Sequence, residues 1–98
     1  MKKRLSFHEL AEQELNNAAA FYDSRQHGLG PLFIRQVQEA ILLINANPES
    51  AQIVKGNARS KPLRRFPHNI IYFVTPNTIR ILAIANQRRG PFYWDSRV

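Results

Sequence analysis

Apolar side chains change their spacing along this chain, and the changes mark its elements. Leu5 and Phe7 alternate with polar neighbours across Lys3 to Phe7, the period of a short strand. From residue 9 the spacing lengthens. Ala11, Leu15, Ala18 and Tyr22 recur at intervals of four, three and four, which gathers them on one helical stripe that Phe21 widens. The run Ala18-Ala19-Ala20 adds helix propensity and lets a neighbour approach closely. Ser6 or His8 stands at the start, and Glu9 and Glu12 lie in the first turn, where the helix dipole favours carboxylates. Gly28 and Gly30 break the pattern, so the helix is expected to end near Gln26 or His27. A second stripe, Phe33, Val37, Ala40, Ile41 and Ile44, starts at Leu29 or Pro31 and is stopped by Asn45-Ala46-Asn47-Pro48. Two helices joined by so short a Gly-rich link fold back as an antiparallel hairpin.

The second half reads as sheet. Residues 48–60 are polar and irregular and read as a surface loop. Lys61 to Phe66 starts a strand, Pro67-His68-Asn69 makes a turn or bulge, and Ile70 to Thr75 is the next strand. Pro76-Asn77 is turn chemistry, and Thr78 to Ala85 completes a meander. Strict alternation sends Ile79, Ile81, Ala83 and Ala85 one way and Arg80, Leu82 and Ile84 the other. The tail from Arg88 to Trp94 is expected to run along the sheet edge and plant Tyr93 and Trp94 on it. Layer logic then gives a single α+β domain over residues 1–98: strand, helical hairpin, three-stranded antiparallel meander. The helices pack on one face of a small four-stranded sheet, which the first strand joins at an edge or in the middle. The other face is expected to lie open, with arginines around it.

Charge sharpens this picture. Residues 1–54 carry five basic against six acidic side chains, whereas residues 55–98 carry nine basic against Asp95 alone. Seven of those nine are arginine, the better fork for phosphate or carboxylate. So one-sided a distribution points to a polyanionic target or an acidic protein partner. There is no cysteine, which excludes a disulfide scaffold and a thiolate metal site and fits a cytoplasmic setting. No apolar leader segment follows the basic start. The longest apolar run, Ile79 to Ala85, is interrupted by Arg80 and falls far short of the roughly 18 residues of a membrane span.

Candidate chemistry is sparse. His8, His27 and His68 have no partner at helical ligand spacing, no serine sits in a nucleophile elbow, and no Gly-rich phosphate loop exists. Neither a metal nor a cofactor is expected. The acidic residues are read as the solvated outer face of the first helix. What remains is two arginine pairs, Arg64-Arg65 at the entrance to the meander and Arg88-Arg89 at its exit. The meander is expected to cluster them. Converging arginines can stabilise a phosphoryl transition state without a metal, with Tyr93 or Tyr72 orienting or donating a proton. The same cluster can bind a partner's carboxylates. Trp94 reads as packing onto the sheet edge, with base stacking as the alternative; Tyr72 and Phe73 read as core.

An ordered set of residues resembles the RelE/ParE superfamily of type II toxins. It comprises Phe7, Ala11 to Leu15, Phe21-Tyr22, Leu29-Gly30-Pro31-Leu32-Phe33, Val37, Ile44, Pro48, Gly56 and Arg59. It continues with Leu63-Arg64-Arg65-Phe66-Pro67, Ile70-Ile71-Tyr72, Ile81 to Ala85, Arg88-Arg89, Pro91, Tyr93-Trp94 and Arg97. The arginine-rich segments are closest to the ParE-like branch, the plasmid-stabilisation proteins. The resemblance implies the fold above and a cognate antitoxin that wraps the toxin. The ParE branch poisons DNA gyrase; the RelE branch cuts mRNA in the ribosomal A site. RelE-type nucleases place lysines near positions 60 and 62 and an arginine near 69, where this chain has Ser60, Pro62 and Asn69. Asn86 stands where the ParE-like branch commonly has a histidine. The expectation is therefore a growth-inhibiting toxin that binds gyrase, neutralised by an antitoxin with an acidic, apolar segment. Its target- or antitoxin-binding residues are Arg59, Lys61, Arg64, Arg65, Arg88, Arg89, Tyr93 and Trp94. The alternative is a ribosome-dependent, metal-independent endoribonuclease in which Arg64 and Arg88 stabilise the phosphorane and Tyr93 assists.

Overall fold

The computed structural model describes residues 3–98. Strand β1 (Arg4–Phe7) leads into helices α1 (Glu9–Arg25) and α2 (Leu29–Ala46). Strands β2 (Gln52–Lys55), β3 (Ala58–Pro62), β4 (His68–Val74) and β5 (Thr78–Asn86) follow, and a 3₁₀ turn spans Asp95–Arg97. His8 caps α1: its backbone is extended and its Nδ1 accepts the Leu10 N–H at 3.0 Å. Asp23 Oδ1 accepts the N–H groups of Gly28 (2.9 Å) and Gly30 (3.2 Å), so α1 supplies the cap for α2. Gly28 holds a left-handed φ of 95° at the reversal. Gly30 is where the helices touch, since a Cβ there would lie 2.7 Å from the Ala19 carbonyl oxygen.

Among the described residues the sheet has five strands, ordered β1-β5-β4-β3-β2, with β1 parallel to β5 and the other pairs antiparallel. The expected four-stranded sheet is thus one strand short. Residues 48–60, expected as loop, contain β2 and its hairpin to β3. The hairpin turns on Gly56-Asn57, with Gly56 at φ 56°. In so short a strand Ile53-Val54 shows no alternation, but the Gly-Asn pair is a hairpin signal. The strand expected at Lys61 to Phe66 lies earlier, at Ala58–Pro62. The chain then bends, because Pro62 has no N–H to continue a ladder. The bend buries Leu63 and Phe66 and closes with Leu63 N–H on the His68 carbonyl at 2.9 Å.

The expected facing of β5 also needs correction. Ile71 pairs with Ala83 but Tyr72 pairs with Ile81, so Leu82 is the extra residue of a bulge. The bulge turns Ile79, Ile81 and Ile84 all toward the helices, where they pack with Phe33, Val37, Ile44, Ile70 and Tyr72. Leu82, Ala83 and Ala85 face the other way with Ala58 and Ile71. That second face is not open as expected: the tail crosses it, and Trp94 is buried on it. Among the described residues, no helix is long and apolar enough to cross a membrane.

Candidate functional site

The organising residue of the site is Glu14. β1 ends at Phe7, opposite Ile81, and His8 N–H makes the last contact, to the Ile81 carbonyl at 2.8 Å. Beyond it β5 has no strand on that side, and its exposed polar groups need other partners. Ile84 N–H donates to Glu14 Oε1 at 3.0 Å, and Arg97 Nη1 donates to the Leu82 carbonyl at 3.1 Å. Arg97 also forks the carboxylate, Nη1 to Oε1 at 2.9 Å and Nη2 to Oε2 at 3.0 Å. The Tyr93 hydroxyl donates to Oε2 at 2.7 Å. Arg89 reaches the same oxygen at 3.5 Å, its guanidinium lying 3.7 Å from the Tyr93 ring centroid. The Arg97 side chain is 8% exposed and that of Glu14 16%. One carboxylate from α1 thus gathers three tail side chains and repairs the sheet edge.

The electrostatics follow. Burial, then the hydrogen bond to Glu14 and the charge of Glu14, hold the Tyr93 phenol well above its usual range. The hydrogen bond to Glu14 pushes the Arg97 guanidinium higher still. Tyr93 is a locked donor to a carboxylate, not a poised acid or base.

The remaining expected site residues are shared out differently from the sequence reading. Arg59 is structural: its Nη1 donates to the carbonyls of Glu49 (2.8 Å) and Ala51 (2.7 Å), pinning the segment before β2. Tyr72 donates to the Pro48 carbonyl at 2.7 Å. Trp94 is 3% exposed and lies against the far face of the sheet, not its edge. Phe92 beside it takes a left-handed φ of 63°, a strained conformation for a bulky residue. Lys55 stands over the Phe92 ring and pairs with Asp95 at 2.8 Å, tying β2 to the tail. The four arginines do not form the expected cluster. Arg89 turns to Glu14, whereas Arg64 and Arg65 line a cleft of about 400 Å³ against α2, with Lys61. Arg88 is exposed, with its N–H on Asn86 Oδ1 at 2.9 Å.

A second hollow of about 290 Å³ lies on the far face, with Ile71 in its floor, Phe92 in its wall, and Ser60, Asn69, Asn86 and Gln87 among its polar lining. The Gln87 amide already donates to Asn69 Oδ1 at 3.0 Å.

Sequence reasoning missed Glu14, which it placed on the solvated face of α1. A signal was present. Position 14 falls between Ala11 and Ala18 on the apolar stripe, and a carboxylate there must find buried donors. His68 was missed as core: it is 4% exposed, packed against the rings of Tyr22 and Phe33 at 5.8 and 5.0 Å. Burial lowers its pKa, and its Nδ1 has no partner among the described residues.

This arrangement defines a small α+β class: a helical hairpin laid on a five-stranded sheet, closed by a C-terminal strap. No protein-family model matches the chain, and no curated protein matches it. Solved structures do, ten chains of them. One, described as the chromosomal ParDE TA system from P. aeruginosa, superposes with a TM-score of 0.76. It is 18% identical, over 87% of this chain and 96% of that one. The likeness shows that the two share a fold.

Proposed function

We propose that this chain is the toxin of a type II toxin–antitoxin pair, ParE-like, acting in the cytoplasm by docking on its target without covalent chemistry. The target we assign is DNA gyrase, and a cognate antitoxin neutralises the toxin. The shared fold with a ParDE chain supports the toxin reading. The observation that carries the docking mode is the Glu14 cluster, in which the tyrosine and two arginines of the tail are bound to an internal carboxylate. A nuclease would need those groups aimed at substrate, with a base within reach of the attacking hydroxyl. Among the described residues of the basic second half, the cations left for a partner are Arg88 and the cleft residues Lys61, Arg64 and Arg65.

Two assays test the reading. Induced expression of the chain alone should arrest growth, and purified chain at stoichiometric ratio should inhibit supercoiling by gyrase while mRNA in a translation reaction stays intact. Unaffected supercoiling overturns the target. Cleaved mRNA overturns the docking mode.

A further inference from the structure

We infer that one end of the molecule, where α1 finishes, the β3–β4 bend turns and β5 exits, grips the phosphate backbone of duplex DNA. The inference deepens the gyrase reading and rests on it: a toxin docked on gyrase would also hold the DNA that gyrase carries. Contacts bring these segments to the same end. His68 and Asn86 close the β4–β5 ladder, Gln87 N–H donates to the Pro67 carbonyl at 2.8 Å, and the Tyr22 ring lies 4.8 Å from that of Phe66. Arg25 at the end of α1, Arg64 and Arg65 on the bend and Arg88 past β5 are all exposed there. Burial raises the pKa of the Tyr22 phenol, and the charge of nearby Arg88 opposes the rise.

Among the described residues, the side chains of Arg25, Arg64, Arg65 and Arg88 make no ion pair and no hydrogen bond. The acids at this end are engaged: Asp23 accepts from Gly28 and Gly30, and Glu14 holds the tail. Glu39, which shares the cleft of Arg64 and Arg65, stands about 15 Å along α2 from its start. The arginines lie on separate elements rather than around one point, which suits a line of phosphates more than a single anion. An acidic protein would need an apolar centre among the cations. The exposed apolar side chains lie mostly elsewhere: Leu10 in the first turn of α1, Leu42 and Leu43 near the end of α2, Ile53 on β2 and Phe92 in the tail. Single strands would need a free aromatic face on which to stack bases. Phe33 and Phe66 pack inward, and the Arg25 guanidinium stands 5.0 Å above the Phe21 ring. A duplex needs neither, since its phosphates already line its outside.

Fluorescence anisotropy of the full chain with a labelled duplex of about 20 base pairs, at about 50 mM salt, tests this. The competitors are the unlabelled duplex, its single strand and a glutamate polymer of equal charge. The duplex should bind, and log affinity should fall against log salt with a slope of about −3, as for about three to four phosphate contacts. Arg25→Glu, Arg64→Glu and Arg88→Glu should each weaken binding about fivefold or more and flatten that slope by about 1. Arg4→Glu makes the same charge change opposite Thr78, at the far end of β5, and should cost less than about twofold. These positions are exposed, so the variants keep the fold, which circular dichroism checks. Absence of duplex binding, equal losses for Arg25→Glu and Arg4→Glu, or competition by the single strand or the glutamate polymer as strong as by the duplex would each overturn the inference. Supercoiling by gyrase is scored separately with the wild-type chain. Inhibition without duplex binding refutes the grip and leaves the target; duplex binding without inhibition refutes the target and leaves the grip.

Discussion

Glu14 accepts from Ile84, Tyr93, Arg97 and Arg89 at once, and that arrangement is costly to disturb. Glu14→Gln would set an amide NH₂ among donors and leave Arg97 buried without its counter-charge. We expect a loss of about 3 kcal/mol in urea unfolding, accompanied by faster proteolysis of the tail. A loss below about 1 kcal/mol, the worth of a surface pair, would deny the carboxylate its role. His68 gives a second prediction at this scale. Its ring lies against those of Tyr22 and Phe33, with the Glu14 charge the opposing influence, and burial lowers its pKa below 6.5. The unfolded chain therefore takes up a proton on this side chain before the folded chain does. Stability from this group is complete above pH about 6.5 and falls as pH drops below it, by at most about 1.4 kcal/mol per unit. His68→Phe should flatten that slope in unfolding measured between pH 5 and 7, relative to the wild-type chain. Neither residue was legible as core from composition, because both are polar. Glu14 was legible in principle from its place on the apolar stripe, whereas His68 sits where a turn was expected and depended on the bend at 63–67.

At the scale of elements, the hairpin followed from periodicity and caps, and the helix ends fell where Gly28 and Pro48 required. The contact at Gly30 was not visible in the pattern, since it depends on how closely α2 approaches Ala19 and Asp23. Gly30→Ala should destabilise the chain by about 1–3 kcal/mol, because backbone stands in the way and cannot swing aside. An unchanged thermal midpoint would mean that the helices sit farther apart. The strands were harder to read. β2 has four residues and no alternation, so only its Gly-Asn turn could announce it. The bulge at Leu82 moved Ile84 to the helix side, a change in register that no period-two count contains. The same bulge stands beside the open edge of β5 that Glu14 and Arg97 cap. Local irregularity and the charge cluster therefore belong to one piece of the fold.

Over the whole molecule, the basic half divides into cations that hold the fold and cations that face outward. The sequence showed the excess of charge but not this division, since it depends on which arginines find carbonyls or Glu14 in space. Arg89 and Arg97 close the strap; Arg88 is exposed, and Arg64 and Arg65 line the cleft by α2. Arg88→Glu should leave unfolding unchanged and raise the amount of chain needed to inhibit gyrase about tenfold or more. Loss of fold with this variant would show that Arg88 belongs to the structural set. The central claim is that the tail tyrosine anchors the strap and performs no chemistry. Supercoiling by gyrase, titrated with Tyr93→Phe, tests it most directly. That variant removes only the hydroxyl that donates to Glu14. The account predicts that folded Tyr93→Phe inhibits within about threefold of wild type, a difference under about 1 kcal/mol. Inhibition abolished in a chain that circular dichroism shows to be folded would contradict it.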